Sequence, residues 1–236
     1  MALQSWLETE GISRKLSHRY VAAGWLERLG HGAYVRSGDT VGWRGAIYAL
    51  QQHAHLVVWP GGATALQLQG LGQYIPMQRE KIWLWGEAGS RLPAWFKNRE
   101  WGVSVQFSAP RLFSRPVPDH FHYKEDGFII EASSMERASF ELAYEITDGD
   151  SFNWVAEQFQ GLVNLRPQLM HGYLEACTSI RVKRLMLLLG DYYGQVWAQR
   201  VERSRIDLGS GKRQVVKSGW LHPELHITVP REFGGG

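Results

Sequence analysis

Six residues near the start of the chain crowd into two helical turns: Ser13, Arg14, Lys15, Ser17, His18 and Arg19. Hydroxyl, imidazole, ammonium and guanidinium groups at this density can read base edges and grip phosphate. Those are the two tasks of a helix laid in a DNA major groove. Arg28 and His31 flank Gly30, where a hairpin tip would meet the backbone or the minor groove, and Arg36 follows as a contact for a flanking phosphate. The same residues would also suit the exposed face of a small helical unit that binds protein, and the pattern leaves both readings open.

A second basic group lies far downstream: Arg181, Lys183, Arg184, Lys212, Arg213 and Lys217. It is a candidate second nucleic-acid surface, with solvated helix faces as the plain alternative. Other chemistries fail on spacing. Gly209-Ser210-Gly211-Lys212 lacks the upstream glycine of a phosphate-binding loop, and Arg213 stands where Ser or Thr is needed. The pairs His53/His55 and His120/His122 have no third ligand nearby, so no metal is expected. Asp148-Gly149-Asp150 starts like a calcium loop but lacks its closing Glu, and reads instead as a helix N-cap. No G-x-S-x-G nucleophile elbow is present. Neither a cofactor nor an enzymatic activity is expected.

The elements that must position the basic residues are legible. Ser5-Trp6-Leu7-Glu8 ends a short helix before Gly11. Ser13 is an N-cap, and Leu16, Tyr20 and Ala23 repeat at i, i+4 and i+7, predicting a helix over Ser13–Ala23 that Gly24 stops. Two strand-like runs, Trp25–Leu29 and Ala33–Arg36, flank Gly30-His31-Gly32 and predict a hairpin. Helix, tight turn, helix, hairpin is the order of a winged helix-turn-helix. Beyond Asp39, Trp43, Ile47 and Leu50 repeat at helical spacing, and strands are expected at Leu56–Trp59 and Ile82–Trp85. A helix over Thr64–Gln69 lies between those strands, and residues 86–122 look irregular apart from a strand at Val103–Phe107. From Ser133 onward the pattern is mainly helical. Ser133-x-x-Glu136 reads as a capping box, and Gln214–Lys217 and Leu225–Val229 as closing strands.

Composition sets the frame. The chain has 236 residues, 11 Trp, 9 Tyr and 9 Phe, enough apolar surface to exclude a disordered chain. Cys177, the single cysteine, excludes an intramolecular disulfide and points to a reducing compartment. The apolar run Leu185–Leu189 is far short of a membrane span, and the first residues lack the pattern of a signal peptide. A cytoplasmic protein with no membrane partner is expected. The net charge of +3 hides blocks of +2 over residues 1–46, −8 over 119–161 and +6 over 181–217. The expected fold class is α+β, with an N-terminal winged helix-turn-helix (residues 1–38) and a larger mixed α/β C-terminal domain (39–236, subdivided near 110–130).

The stretch Gly11-Ile12-Ser13-Arg14-Lys15-Leu16, Tyr20-Val21 and Gly24-Trp25-Leu26-Glu27-Arg28-Leu29-Gly30-His31-Gly32-Ala33-Tyr34 resembles the N-terminal domain of AbiEi-type antitoxins. Matching blocks continue in order. They include Gly61-Gly62-Ala63-Thr64-Ala65-Leu66, Ser133-Ser134-Met135-Glu136-Arg137-Ala138, Val182-Lys183-Arg184-Leu185 and Asp207-Leu208-Gly209-Ser210-Gly211-Lys212. The resemblance implies a transcriptional autorepressor of a bacterial type IV toxin–antitoxin, abortive-infection system. Its winged helix would bind inverted repeats in its own promoter. Its C-terminal domain would counteract a nucleotidyltransferase-like toxin, with no direct contact required. Two other classes remain on the residues alone: a nucleic-acid-processing enzyme with a basic C-terminal groove, and a module that binds a toxin directly.

Overall fold

A computed structural model describes residues 1–71, 80–117, 119–125, 127–217 and 219–234. The chain opens with β1 (Ala2–Leu3), α1 (Gln4–Thr9), α2 (Arg14–Ala22), β2 (Leu26–Gly30), β3 (Ala33–Arg36) and α3 (Trp43–Tyr48). A π-helical turn over Ala49–His53 continues α3. Next come β4 (Val58–Pro60), α4 (Gly62–Leu68), β5 (Lys81–Gly86), α5 (Ala94–Lys97), β6 (Ser104–Ser108), β7 (Phe121–Glu125) and β8 (Phe128–Ala132). The helices α6 (Met135–Glu145), α7 (Gly149–Gln160), α8 (Pro167–Ala176), α9 (Ile180–Tyr192) and α10 (Val196–Arg200) follow. Short strands β9 (Arg213–Gln214), β10 (Trp220–Leu221) and β11 (Ile227–Val229) close the order. Helices with several small sheets make this an α+β protein, as the sequence predicts.

The chain divides into two compact units. The first takes Met1–Pro60, Pro76–Pro110 and His122–Ala132; the second takes Gly61–Ile75, Arg111–Phe121 and Ser133–Gly236. The hairpin therefore belongs to a unit that runs well beyond residue 38.

In the first unit β1, β3 and β2 form an antiparallel sheet, with Leu3 opposite Ala33 and Arg28 opposite Tyr34. Ala33, Tyr34 and Val35 are buried, which fixes the hairpin against α1 and α2. A second sheet has the order β4-β5-β6, antiparallel then parallel. Gln51 ties β4 to β8: its Nε2 donates to Val58 O at 2.7 Å and Glu131 O at 2.9 Å, and its Oε1 accepts from Glu131 N at 3.0 Å. The segment expected to be irregular contains α5, whose Trp95 and Phe96 are buried. Trp95 backs the hairpin. A Cβ added to Gly30 would stand 2.6 Å from Trp95 Cβ, so only glycine fits the hairpin there.

The second unit is built on α9, where every residue from Val182 to Gly190 is buried. That includes Lys183 and Arg184, which corrects the expectation that they form an exposed basic surface. Lys183 Nζ donates to Asp207 O at 3.1 Å. Arg184, 2% exposed, donates to the carbonyls of Leu208 (2.9 Å), Gly209 (3.2 Å), Gly211 (2.7 Å) and His226 (3.1 Å). Burial lowers the affinity of this guanidinium for its proton, as does the neighbouring Arg213. The Gly209–Gly211 turn thus turns carbonyls toward a cation, the reverse of the N–H groups a phosphate loop offers. Arg181 is turned inward too, donating to Tyr144 O at 2.7 Å and to Ile146 O at the end of α6. Lys212 and Lys217 are exposed and Arg213 half-buried, so the expected six-residue surface is reduced to these three.

The expected capping box at the start of α6 is replaced by another arrangement. Ser134, not Ser133, is the N-cap and accepts from Arg137 N. Ser133 Oγ donates to Glu141, whose Oε2 also accepts from Gly62 N at 2.8 Å and whose Oε1 pairs with Arg137 Nε at 3.0 Å. Glu136, fully buried, accepts from Arg166 Nε at 2.8 Å and Nη2 at 2.7 Å, and Arg166 reaches Asp119 at 2.7 Å as well. Burial pushes the Glu136 carboxyl up, but the hydrogen bonds and charge of Arg166 outweigh it and hold it below the ordinary value. Part of the acidic middle block is therefore spent on internal pairs. The Asp148 N-cap reading agrees with the structure: Asp148 Oδ1 accepts from Ser151 N at 2.9 Å, and Ser151 Oγ returns to Asp148 N at 3.0 Å.

Candidate nucleic-acid interface

The turn between α1 and α2 is four residues, Glu10 to Ser13, and contains Gly11 at φ +79°, which a side chain would strain. Ser13 caps α2 by accepting from Leu16 N at 3.3 Å. Ala23 closes the helix and Gly24 (φ +74°) turns the chain out of it. This is the helix–turn–helix spacing the sequence predicts, followed at once by the β2–β3 hairpin.

The phase of α2 decides which side chains are available. Leu16, Ser17, Tyr20 and Val21 are buried or half-buried and face the unit. Arg14, Lys15, His18, Arg19 and Ala22 are exposed and share the opposite arc of about 140°, at 100° per residue. Two expectations change here. Ser17 is fully buried and its Oγ donates to Ser13 O at 3.3 Å, so it cannot reach a ligand. Ala23 lies outside the helix and is exposed, and the inward stripe runs through Ser17 and Val21 instead. Ser13 spends its hydroxyl as the cap acceptor.

The remaining candidates converge. Arg14, with a side chain 75% exposed, pairs through Nε with Glu8 at 3.2 Å, a weak surface contact. Arg28, on β2, brings Nη2 to 3.2 Å from His18 Nε2 on α2. The Arg28 guanidinium also stands 6.0 Å from the Tyr34 ring centroid. His31 sits at the exposed tip beside Gly32 (φ +70°), whose carbonyl accepts from Gln4 N at 2.8 Å and ties the tip to α1. Together Arg14, His18, Arg28 and His31 line one concavity between α2 and the hairpin. Lys15 and Arg19 lie farther round α2, and Arg36 is exposed at the end of β3. The open end of the hairpin is held by Glu27, which accepts from Ser37 Oγ at 2.9 Å and Gly38 N at 3.1 Å. Those two bonds hold its carboxyl below the ordinary value.

Sequence reasoning missed three contributors. Trp25 is 65% exposed and stacks on Tyr20 with ring centroids 5.3 Å apart, presenting an aromatic face at the C-terminal end of α2. The signal was its position directly after the Gly24 stop. Gln4 and Trp95 also line the concavity; for Trp95, 65 positions from Gly30, nothing local announces the contact.

Residues 79–230 match the family described as "Transcriptional regulator, AbiEi antitoxin, Type IV TA system", and residues 1–77 match the family's N-terminal domain. No curated protein matches the sequence significantly. The crystal structure of the RV2827C protein from Mycobacterium tuberculosis has a similar fold, with a TM-score of 0.58 at 16% identity. The similarity covers 97% of this chain and 85% of that one.

Proposed function

Since the chain belongs to the AbiEi antitoxin family of transcriptional regulators in type IV toxin–antitoxin systems, we propose that it represses its own promoter by binding inverted repeats in DNA. The contact surface is the exposed arc of α2 together with the β2–β3 hairpin. One observation carries the reading. Arg14, Lys15, His18 and Arg19 occupy the arc of α2 opposite its buried face, beside a hairpin that adds Arg28 and His31. A helix so placed presents cations and hydrogen-bond donors to a groove, and the hairpin is placed as a wing. Each half of an inverted repeat would take one copy of the chain.

In this reading the protein is cytoplasmic and works by binding rather than turnover. It counteracts a nucleotidyltransferase-like toxin without needing to touch it. Family membership supports the antitoxin role, and among the described residues no helix is long and apolar enough to cross a membrane. An enzymatic groove gains no support from the basic C-terminal segment, because Arg181, Lys183 and Arg184 are spent on internal carbonyls.

The test is fluorescence anisotropy with a duplex from the upstream region of its own gene, titrated across salt concentrations. Wild-type affinity should fall steeply with salt. The double variant Arg14→Ala/Arg19→Ala should bind more weakly, with a log–log salt slope reduced by about 2 if both contact phosphate. An unchanged affinity and slope in a folded double variant refutes the placement of DNA on α2.

A further inference from the structure

The short helix α5 stands beside the tip of the hairpin. A Cβ on Gly30 would lie 3.1 Å from Trp95 Cα, so the backbone of α5 is pressed against the tip end of β2. Trp95 also lines the same concavity as Arg28 and His31. Hairpin and α5 belong to the same compact unit. With four residues, α5 is too short to persist by itself. It is held from its inner side, where Trp95 and Phe96 are buried. Trp101 packs on both, with ring centroids 6.4 Å and 5.1 Å away, and its Nε1 donates to Phe96 O at 2.8 Å.

The outer side of this support is cationic. Residues 88–99 hold Arg91, Lys97 and Arg99 and no acid. Arg91 and Lys97 are exposed and flank the buried Trp95–Phe96 pair. Arg99 is half-buried, with its guanidinium 5.3 Å from the Trp101 ring centroid and its Nε without a hydrogen-bond partner. None of the three forms an ion pair among the described residues. They differ in this from Arg181, Lys183 and Arg184, which bond to internal carbonyls. Like charges held close on one segment repel, and a polyanion laid across them removes that cost.

We propose that α5 is a third element of the DNA interface, with Arg91 and Lys97 binding phosphates of the duplex that flanks the stretch read by α2. This rests on the operator reading above and extends it beyond α2 and the hairpin. A wing that meets the duplex brings whatever stands beside its tip to the same backbone. Lys97 lies within one helical turn of Trp95, and Trp95 touches Gly30, the neighbour of His31. Duplex DNA carries a charge about every 1.7 Å of its axis, so cations at this place meet phosphate. Phosphate contacts fix register and add affinity without reading bases. The contribution of α5 is therefore the same for every sequence, whereas that of α2 is not.

The test uses the full chain and fluorescence anisotropy across salt concentrations, with the upstream duplex and a scrambled duplex of equal length. Arg91→Gln/Lys97→Gln should weaken binding to the upstream duplex by about tenfold or more at low salt and reduce the log–log salt slope by about 2. The ratio of upstream to scrambled affinity should stay within about twofold of wild type, because only phosphate contacts are lost. Arg200→Gln/Arg231→Gln removes the same charge from exposed positions in the second unit and should leave the slope unchanged. Circular dichroism checks the fold of each variant.

A folded Arg91→Gln/Lys97→Gln chain with wild-type affinity and slope overturns the proposal. So does an equal loss in the Arg200→Gln/Arg231→Gln control, which would reduce the effect to net charge. A collapse of the sequence preference overturns the assignment to phosphate. The Arg14→Ala/Arg19→Ala variant separates the two readings. If it loses binding while the α5 variant keeps it, α5 falls and the operator reading stands. If the α5 variant alone loses binding, the placement of DNA on α2 falls and α5 stands. Wild type that binds neither duplex overturns both.

Discussion

Replacing Arg184 by Met tests whether the basic C-terminal segment is scaffold or working surface. Methionine keeps much of the length and volume but removes every donor. Four carbonyls, of Leu208, Gly209, Gly211 and His226, lose a partner between 2.7 and 3.2 Å away. His226 O keeps the Arg213 amide as a donor, so three carbonyls are left without their Arg184 partner. At about 1.5–2 kcal/mol for each hydrogen bond to a charged group, the gross loss is about 4–6 kcal/mol. Removing a buried cation offsets part of this, since its desolvation cost disappears too, and leaves a net loss of about 3 kcal/mol. For a chain of this size each kcal/mol shifts the unfolding midpoint by roughly 2–4 °C, so the melt should fall by roughly 6–12 °C. Arg184→Lys, with three donors for four carbonyls, should fall between the two. Lys212→Ala and Lys217→Ala, at exposed positions, should stay within about 0.5 kcal/mol of wild type. The assay is thermal unfolding followed by circular dichroism at neutral pH. An Arg184→Met melt within about 2 °C of wild type refutes the carbonyl clamp. A Lys212→Ala variant as damaged as Arg184→Met refutes the division between buried and exposed bases.

Other expectations are sharp enough to check. Gly30→Ala puts a methyl 2.6 Å from Trp95 Cβ; the overpacking should cost about 1–3 kcal/mol in a denaturant melt and, by displacing the hairpin, weaken operator binding. The lowered Glu136 carboxyl contributes stability that is complete above the unfolded pKa of about 4.3 and is lost as pH falls through the lower folded value. Urea midpoints should therefore drop in that acid window for wild type, while Glu136→Gln should be less stable at pH 7 and flatter below pH 5. Ser13→Ala removes the α2 cap and should cost about 1 kcal/mol, with helix fraying visible in amide exchange at Leu16. Cys177 is buried and its thiol is pushed up to about 11, so iodoacetamide should leave it unmodified at pH 7.5 until urea unfolds the chain.

Local chemistry was the legible part of the structure. Ser13 as a cap, Gly24 as a stop, the Gly30–Gly32 hairpin and the Asp148 cap were all visible, because each is settled by neighbours within a few positions. Ser17 was misjudged by its polarity rather than its position: at 100° per residue it falls between Leu16 and Tyr20's neighbour Val21, on the buried side. Arg184 and Glu136 were misjudged for the opposite reason. Their partners lie 24 to 42 and 30 positions away, and charge on a helix reads as a solvated face until those partners are placed. The basic arc of α2 could be anticipated from spacing; the cavity beneath it could not, because Trp95 arrives from a distant helix.

The route of the chain has a consequence for dissecting it experimentally. The backbone leaves each compact unit and returns, so the first holds 1–60, 76–110 and 122–132 while the second takes the intervening stretches. A fragment ending near residue 77, where the family's N-terminal domain stops, would keep β4 but discard β5, against which Trp59 pairs with Trp85. It would also lose Trp95 from behind Gly30 and Glu131 from Gln51. Such a truncation has an orphaned strand edge and an uncovered hairpin, both hazards for aggregation. Separating DNA binding from antitoxicity therefore calls for point substitutions in the intact chain. Because distant segments must meet before either unit closes, each should fold slowly for its size.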